Sequence, residues 1–419
     1  MRIENLQSES AQSKARVSAS IVWEDCDRPD QEIYFETSEE YAESLTCHPH
    51  AFLVGCVIPA ARHGEKRIAI DSEICPELRN GLLRAMHWLR SWYKYPSEPV
   101  RIETRQGVRF PMARAEERAG SFLSGGVDSL AALRRNRLDF PLSHPYSIKD
   151  CLFVHGFDMG GRAGGDSEIE SYRRGLAVLK PVAEDAGVTL IPVHTNVRHL
   201  DDDVNRWMYE FHGAALASVA HALSKRLARV YIASSNDIAA LEPWGSHPVL
   251  DPNFSSAELQ LQHTGIVFSR LDKVRLIADW DCALENLRVC TENPPGRLNC
   301  EECEKCVRTM LELLAVGKLA RAPAFHADNV PPELLEASLQ IDSLRSVMPE
   351  YAELMPALEA LGRIDLVKVI QDKFAELRKQ QAWEEERDWK GSIKRLDRRY
   401  FGATLSHLYK TIRRDSTNQ

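Results

Sequence analysis

The chain has 419 residues, of which 44% are hydrophobic and 27% are charged, and its formal net charge is −8 at pH 7. This balance is typical of a globular protein with two or three domains of roughly 100–200 residues each. The negative charge argues against a dedicated nucleic-acid binder, and no run of about 18 apolar residues predicts a membrane span. The first residues lack the apolar segment of a signal peptide, so we expect a cytoplasmic protein whose ten cysteines stay reduced.

Residues 1–115 are predicted to form a separate α+β module without a catalytic signature. Alternating or apolar runs predict strands at 16–23, 32–36, 51–58 and 100–103. Leucine and methionine recur at helical spacing between Pro76 and Tyr93, which predicts one helix there. We expect this module to serve in substrate docking, dimerisation or partner binding.

Residues 116–320 are predicted to alternate strands and helices. The strands fall at 120–123, 150–156, 189–194 and 229–234, and the helices at 129–137, 167–186 and 211–228. Such βαβ alternation predicts a parallel sheet with helices on both faces. In this architecture, ligands bind at the carboxyl ends of the strands.

Residues 321–419 are predicted to form a helical C-terminal extension. Its last part, between Asp388 and Arg414, holds eight basic residues against two acidic ones. This segment is either a solvated helix face or a contact for nucleic acid or for an acidic protein partner. We also expect the protein to form a homo-oligomer.

A glycine-rich loop, Ser124-Gly125-Gly126-Val127-Asp128-Ser129, lies between a predicted strand and a predicted helix. Glycines let the backbone approach a phosphate, and the unpaired N–H groups and dipole of a helix start favour an anion. The two serines add hydroxyl donors, and we expect Asp128 to cap the helix and to help hold Mg²⁺. A turn that only starts a helix is the alternative. The loop has no Gly-Lys-Ser/Thr ending, so transfer of the γ-phosphate is not expected.

In this strand–loop–helix context, the motif Ser-Gly-Gly-x-Asp-Ser resembles the phosphate loop of the PP-loop ATP pyrophosphatases, and the resemblance covers residues 116–320. It implies a Rossmann-like (HUP/PP-loop) fold that binds ATP and Mg²⁺ and cleaves ATP between the α and β phosphates. Members transfer AMP to a substrate oxygen, and a nitrogen or sulfur nucleophile then displaces the AMP. The nucleotide is expected at Ser124, Gly125, Gly126, Val127, Asp128 and Ser129, with Asp128 and Ser129 in catalytic roles.

Four clustered cysteines follow, with the spacing Cys290-x9-Cys300-x2-Cys303-x2-Cys306. Four soft thiolates in a tetrahedral arrangement suit Zn²⁺, and we expect a structural zinc because four protein ligands leave no open position. An iron–sulfur cluster or unligated thiols are the alternatives.

A PP-loop followed by these cysteines is similar to the 7-cyano-7-deazaguanine synthases (QueC). Those enzymes activate a carboxylate with ATP, form an amide with ammonia, and convert the amide into a nitrile. Arg308 and residues 271–273 extend the similarity, and Lys273 is expected to meet a phosphate or a carboxylate in a catalytic role. A lysine on the protein surface is the alternative. Three features depart from that family. About 120 residues precede the loop here, the helical C-terminal extension is additional, and the turn after the second strand reads Phe157-Asp158-Met159-Gly160-Gly161.

The resemblance implies that the second strand lies beside the adenine, so Phe157 and Asp158, which follow it, are expected to contact the nucleotide. Further candidates follow the other strands or lie near the third helix: His155, Arg206, His212, Ser234, Ser235, Asn236, Trp244, His247, Asp251 and Asn253. We expect an ATP-dependent ligase that adenylates a small-molecule carboxylate or a deazapurine-like substrate and then accepts ammonia or an amine. Sulfur transfer, through Cys151 or Cys282, is the alternative enzyme. A non-catalytic nucleotide-binding partner module is the alternative outside catalysis.

Overall fold

The computed structural model describes the backbone of residues 1–11, 13–95, 98–105, 117–157, 166–292, 294 and 296–400. The chain divides into two compact units, Met1–Asn329 and Val330–Gln419. The boundary that the sequence predicts at residue 115 therefore lies within the first unit. Every helix in the described part of the chain is either too short or too polar to cross a bilayer.

A sheet of ten strands, counted over the described residues, organises the first unit. The strands are β1 (Arg2–Ala11), β2 (Lys14–Val22), β3 (Gln31–Ser38), β4 (Arg67–Ile70), β5 (Arg101–Thr104), β6 (Arg118–Phe122), β7 (Ile148–His155), β8 (Thr189–Thr195), β9 (Leu227–Ala233) and β10 (Gln260–Thr264). Their order is β10-β9-β6-β7-β8-β3-β2-β1-β4-β5. Six of the nine pairings are parallel, and the pairings of β3 with β8, β2 with β3 and β1 with β2 are antiparallel.

The N-terminal segment is continuous with this sheet. Phe35 of β3 pairs with Thr195 of β8. Beside this pair, the Thr37 hydroxyl donates to the carbonyl of Pro192 over 2.7 Å. The strands of residues 1–105 thus extend one mixed sheet instead of forming a separate one.

The helices of the first unit are α1 (Pro49–Arg62), α2 (Pro76–Tyr93), α3 (Val127–Asp139), α4 (Asp166–Asp185), α5 (Val204–Arg206), α6 (His212–Ala222), α7 (Arg270–Ile277), α8 (Asp281–Glu285) and α9 (Glu304–Ala315). A π-helical stretch, Trp207–Phe211, joins α5 to α6. The prediction of a helix from Pro76 to Tyr93 matches α2.

The strand predicted at 51–58 is wrong, because these residues lie within helix α1. A short apolar run does not distinguish a buried strand from a buried helix. Here the run is buried on all sides as a helix, from Pro49 to Ala60. Pro49 occupies the first helical turn, and the ring of His48 caps the helix by accepting from the N–H of His50.

Helices cover both faces of the sheet, as the βαβ alternation predicts. Leu152 of β7 belongs to the large apolar cluster that includes α1, α2 and α6. Its neighbour Phe153 stacks instead on Tyr172 of α4, with ring centroids 4.8 Å apart. Since successive side chains of a strand point to opposite faces, α4 lies across the sheet from that cluster.

The second unit is helical, as the sequence predicts, with α10 (Pro332–Ser338), α11 (Ile341–Ala360) and α12 (Ile364–Tyr400). Its core includes Tyr351, Leu358, Leu366 and Ile370, all fully buried. Of the basic segment, residues 388–400 continue α12 and residues 401–414 lie outside the described part of the chain.

Candidate functional site

The Ser-Gly-Gly loop (residues 124–129) connects the end of β6 to the start of α3. Gly125 has a φ of +82°, in the left-handed region that glycine adopts without strain. Its carbonyl accepts from the N–H of Arg288 over 2.9 Å. Gly126 is the N-cap residue of α3. The chain therefore turns sharply from the strand into the helix, and places the first helical N–H groups at the carboxyl edge of the sheet.

The two serines of the loop lie against each other. Their hydroxyl oxygens are 3.2 Å apart, and the Ser129 hydroxyl also donates to the carbonyl of Gly126 over 3.0 Å. The N–H of Gly126 in turn donates to the Ser124 hydroxyl over 3.3 Å. Both hydroxyls are thus held at the helix start.

Asp128 forms ion pairs and does not cap the helix, contrary to the expectation from sequence. Its Oδ2 lies 3.2 Å from Nη1 of Arg270, and its Oδ1 lies 3.3 Å from Nζ of Lys273. Burial acts to raise the pKa of Asp128, but the two cations outweigh burial and hold that pKa below its usual range. The side chain is therefore a carboxylate at neutral pH.

Lys273 is almost fully buried, with 2% of its surface exposed. Its ammonium donates to the carbonyls of Ser234, over 2.7 Å, and Ser235, over 3.0 Å, just beyond β9. It therefore links α7, the end of β9 and Asp128. Lys273, predicted to act in catalysis, is not among the described residues that line the cleft described next, and it contacts Asp128, which does line it.

A cleft of about 260 Å³ opens beside the loop. It lies at the carboxyl ends of β6, β9 and β10, where α/β folds bind ligands. The candidates predicted from sequence that line it are Ser124, Asp128, Ser129, His212, Ser234, Ser235, Asn236, Trp244 and His247. Apolar side chains, among them Leu216, Ile232 and Leu241, complete the wall.

His263 also lines the cleft and was missed in the sequence. Its Nδ1 lies 2.7 Å from Oδ2 of Asp251. Fully buried Asp251 also accepts from the Ser246 hydroxyl, over 2.7 Å, and from the N–H of His247, over 3.2 Å. The signal that could have found His263 is the alternation of the short edge strand β10. It places His263 on the same face as Leu261, the one buried residue of the strand.

Other candidates lie away from the cleft. Phe157 is buried against Trp207, with ring centroids 5.2 Å apart, and does not line the cleft. Asp158 lies outside the described residues. Arg206 pairs with Asp201 over 3.2 Å instead of reaching the loop. His155 packs against the ring of His194.

The four cysteines predicted to bind zinc come together. Sγ of Cys290 lies 4.0 Å from that of Cys303, and Sγ of Cys300 lies 3.8 Å from that of Cys306. All four sulfurs lie within 4.8 Å of one another. A tetrahedral zinc with Zn–S bonds of about 2.3 Å places its sulfurs about 3.8 Å apart, so the cluster fits such an ion.

Hydrogen bonds to backbone groups fix the geometry of this cysteine cluster. Asn299 accepts from the N–H of Val289 over 3.0 Å and donates to the carbonyls of Leu287 and Ala324. The N–H of Cys303 donates to Sγ of Cys300 over 3.2 Å, which stabilises a thiolate. Since Arg288 bonds to Gly125, the segment that leads into the cluster also supports the Ser-Gly-Gly loop.

A second group, His48, His50 and Glu258, has potential ligand atoms within 4.8 Å of one another. The N–H of His50 donates to Nδ1 of His48, and the N–H of Cys75 donates to Nε2 of His50. The other ring nitrogen of each neutral histidine therefore carries the proton, and Nε2 of His48 lies 2.7 Å from Glu258. Protonated nitrogens do not bind metals, so this group is a buried hydrogen-bonded cluster.

Comparison with known proteins adds no relative to these observations. No protein-family model matches the chain, and neither a curated protein nor a solved structure matches it. The site must therefore be interpreted from its own chemistry.

Proposed function

We propose that the chain is an ATP-dependent ligase similar to the 7-cyano-7-deazaguanine synthases. It adenylates a carboxylate with release of pyrophosphate, and ammonia or an amine then displaces AMP. The observation that carries this proposal is the Ser-Gly-Gly loop, which starts α3 at the mouth of a cleft at the carboxyl edge of the sheet.

The loop offers the donors that a triphosphate requires. The first N–H groups of α3 and the hydroxyls of Ser124 and Ser129 lie together at the positive end of the helix dipole. These donors would neutralise the charge that develops when a substrate oxygen attacks the α-phosphorus and pyrophosphate leaves.

Asp128 is the residue that would hold Mg²⁺. It is the loop's carboxylate, it lines the cleft, and Arg270 and Lys273 keep it ionised. Magnesium in nucleotide sites is commonly bound by one or two carboxylates together with phosphate oxygens, and it supplies charge neutralisation there.

The aromatic and apolar part of the cleft lining suits a planar acceptor. Trp244 packs edge-on against Tyr209, with ring centroids 4.8 Å apart, and lines the cleft beside Leu241. Aromatic and apolar walls with a few polar groups are typical of sites for small ring-bearing molecules. This supports a carboxylate on a planar ring as the substrate class.

The surroundings of the two cysteines considered for sulfur transfer argue against that reaction, and they therefore favour nitrogen transfer. Cys151 is fully buried in β7, and burial raises its pKa to about 12. Burial also raises the pKa of Cys282 on α8. The thiolate is the reactive form of cysteine, and neither residue lines the cleft.

The test is release of pyrophosphate and AMP from Mg–ATP in the presence of ammonium and a panel of planar ring carboxylic acids, including 7-carboxy-7-deazaguanine. We expect Asp128→Asn to lower turnover by about 100-fold or more, as loss of a charge-stabilising group does. The matched control is Asp139→Asn, at the other end of the same helix. Binding of ATP without pyrophosphate release for any acid would favour a non-catalytic module.

A further inference from the structure

Three histidines of the described part of the chain, His212, His247 and His263, line the cleft, and their hydrogen bonds distinguish their roles. In His247, Nδ1 accepts from the N–H of Val249 over 3.2 Å, so the neutral ring carries its proton on Nε2. Burial, assisted by nearby His263, lowers the pKa of His247 and keeps it neutral. His247 is therefore a hydrogen-bond donor and not a base.

His263 has the opposite tautomer. Its Nδ1 lies 2.7 Å from the carboxylate of Asp251, which only accepts, so Nδ1 carries the proton. Nε2 then holds a lone pair on the side of the ring away from Asp251. The His263 side chain is 3% exposed, and its Nε2 is itself buried and has no hydrogen-bond partner among the described residues, so a nucleophile reaches it only after a small movement of the cleft wall.

His212 is the remaining histidine, and its Nδ1 lies 3.1 Å from the carbonyl of Trp207. Such a contact also leaves the lone pair on Nε2. A neutral carbonyl stabilises an imidazolium less than a carboxylate does. Among the three, His263 is thus the ring whose Nδ1–H donates to a carboxylate, the arrangement that stabilises a positive charge on an imidazole.

The position of His263 also suits a residue that acts beside the Ser-Gly-Gly loop. It is the penultimate residue of β10, where it pairs with Ile232 of β9. Ser234 and Ser235, which follow β9, share the cleft with His263 and with the Ser-Gly-Gly loop. The imidazole and the loop therefore border the same space at the carboxyl edge of the sheet.

We propose that His263, oriented by Asp251, is the general base that takes a proton from the amine or ammonia nucleophile. This inference rests on the proposed function. Nε2 first takes a proton from the ammonium ion or protonated amine, which frees the nitrogen lone pair, and Asp251 stabilises the imidazolium, as in other histidine–carboxylate pairs. The lone pair then forms a bond to the acyl carbon of the adenylate, the bond from that carbon to the AMP oxygen breaks, and AMP leaves with the electron pair. The new amide nitrogen releases its remaining extra proton to water.

The test compares two nucleophiles at neutral pH with Mg–ATP and an acid from the panel that supports turnover. Ammonia is mostly protonated at this pH and needs a base, whereas hydroxylamine is already uncharged. We expect His263→Gln to lower amide formation from ammonium by about 100-fold or more. Hydroxamate formation from hydroxylamine should fall only a few-fold, and Asp251→Asn should show the same split.

Equal losses with both nucleophiles would assign His263 a structural role and overturn the proposal. So would unchanged amide formation from ammonium in His263→Gln. In either case the proposed ligase function would stand, because the wild type would still release pyrophosphate. If the wild type releases none with any acid, the proposed function and this role fail together.

A second measurement does not depend on the acceptor. Nitrogen NMR of the histidine-labelled protein, with His263→Gln for assignment, reports which ring nitrogen carries the proton. We expect a protonated Nδ1 and an unprotonated Nε2 for His263. A proton on Nε2 would overturn the proposal whatever the kinetics show.

Discussion

Two buried histidines couple the stability of the protein to pH. His194 lies in β8 beside His155, and His221 lies in α6 with its Nε2 2.8 Å from the carbonyl of Phe254. Burial lowers the pKa of each to about 4, from an ordinary value of 6.5. Between these two values the unfolded chain binds protons that the folded chain excludes, so acid favours unfolding.

We expect the free energy of unfolding to be highest above pH 6.5 and to fall as the pH drops towards 4. At pH 5 each histidine should account for roughly 1–2 kcal/mol of the loss. Urea unfolding at several pH values measures this, and His194→Gln should remove part of the dependence. His87→Gln, on the exposed side of α2, is the control. A free energy that does not change between pH 7 and 5 would contradict the prediction.

At the residue scale, the sequence predicts best what is close along the chain. The Ser-Gly-Gly loop and the four cysteines are local motifs, and the structure brings the members of each together. The pair of Asp251 and His263 was not predicted, because it joins a loop to an edge strand. The burial of Lys273 also depends on β9, which is distant in sequence.

Among the elements, α2 supports the loop of residues 241–254, which lines part of the cleft. Arg84 donates to Asn253 over 2.8 Å, the ring of Trp92 packs 5.0 Å from that of His247, and Tyr93 donates to the carbonyl of Pro243. The helix also approaches so closely at Gly81 that an added methyl group would lie 2.0 Å from the carbonyl oxygen of Asn253.

Gly81→Ala should therefore destabilise the protein. On the exposed face of a helix the same change raises the free energy of unfolding by about 1 kcal/mol. Here the backbone of the facing loop must move, which lowers the free energy of unfolding by roughly 2 kcal/mol or more. Asn80→Ala, the exposed neighbour in the same helix, should be neutral or slightly stabilising. Thermal and urea unfolding of both variants measure the difference, and a more stable Gly81→Ala would contradict the close approach.

The cysteine cluster is an element that metal should stabilise. We expect about one zinc per chain by mass spectrometry, and loss of that zinc in Cys300→Ser. Since Arg288 connects this segment to Gly125, ATP binding should weaken together with thermal stability. Cys47→Ser, far from the cluster in sequence, is the control. Full zinc content in Cys300→Ser would exclude the four-thiolate site, and iron in place of zinc would favour the alternative cluster.

For the whole molecule, the continuous sheet decides which parts fold together. The sequence predicts α3, α4 and α6 and the strands β6 to β9, because their periodicity is local, but it does not predict β10 or the helices α7 to α9. It does not reveal that β3 pairs with β8, because that pairing joins residues far apart. The helix α1 likewise packs against α6, which lies on the far side of the predicted boundary at residue 115.

A chain of residues 116–329 should therefore not fold, whereas residues 1–329 should. The shorter chain loses the cover that α1 gives α6, and it leaves the backbone groups of β8 without their β3 partners. Circular dichroism and cooperative urea unfolding distinguish the two outcomes. A cooperative transition in the 116–329 chain would show that the N-terminal segment is an independent module after all.

The contact of α2 with the cleft loop has a consequence for protein engineering. Residues 241–254 form much of the wall that would meet an acceptor, and their backbone follows a surface set by Gly81 and Trp92. If this loop were replaced by one designed to accept a different molecule, the conformation of the new loop would still be set by its contacts with α2. The matching face of α2 would have to be transplanted with the loop, although that helix contributes no side chain to the cleft within the described residues.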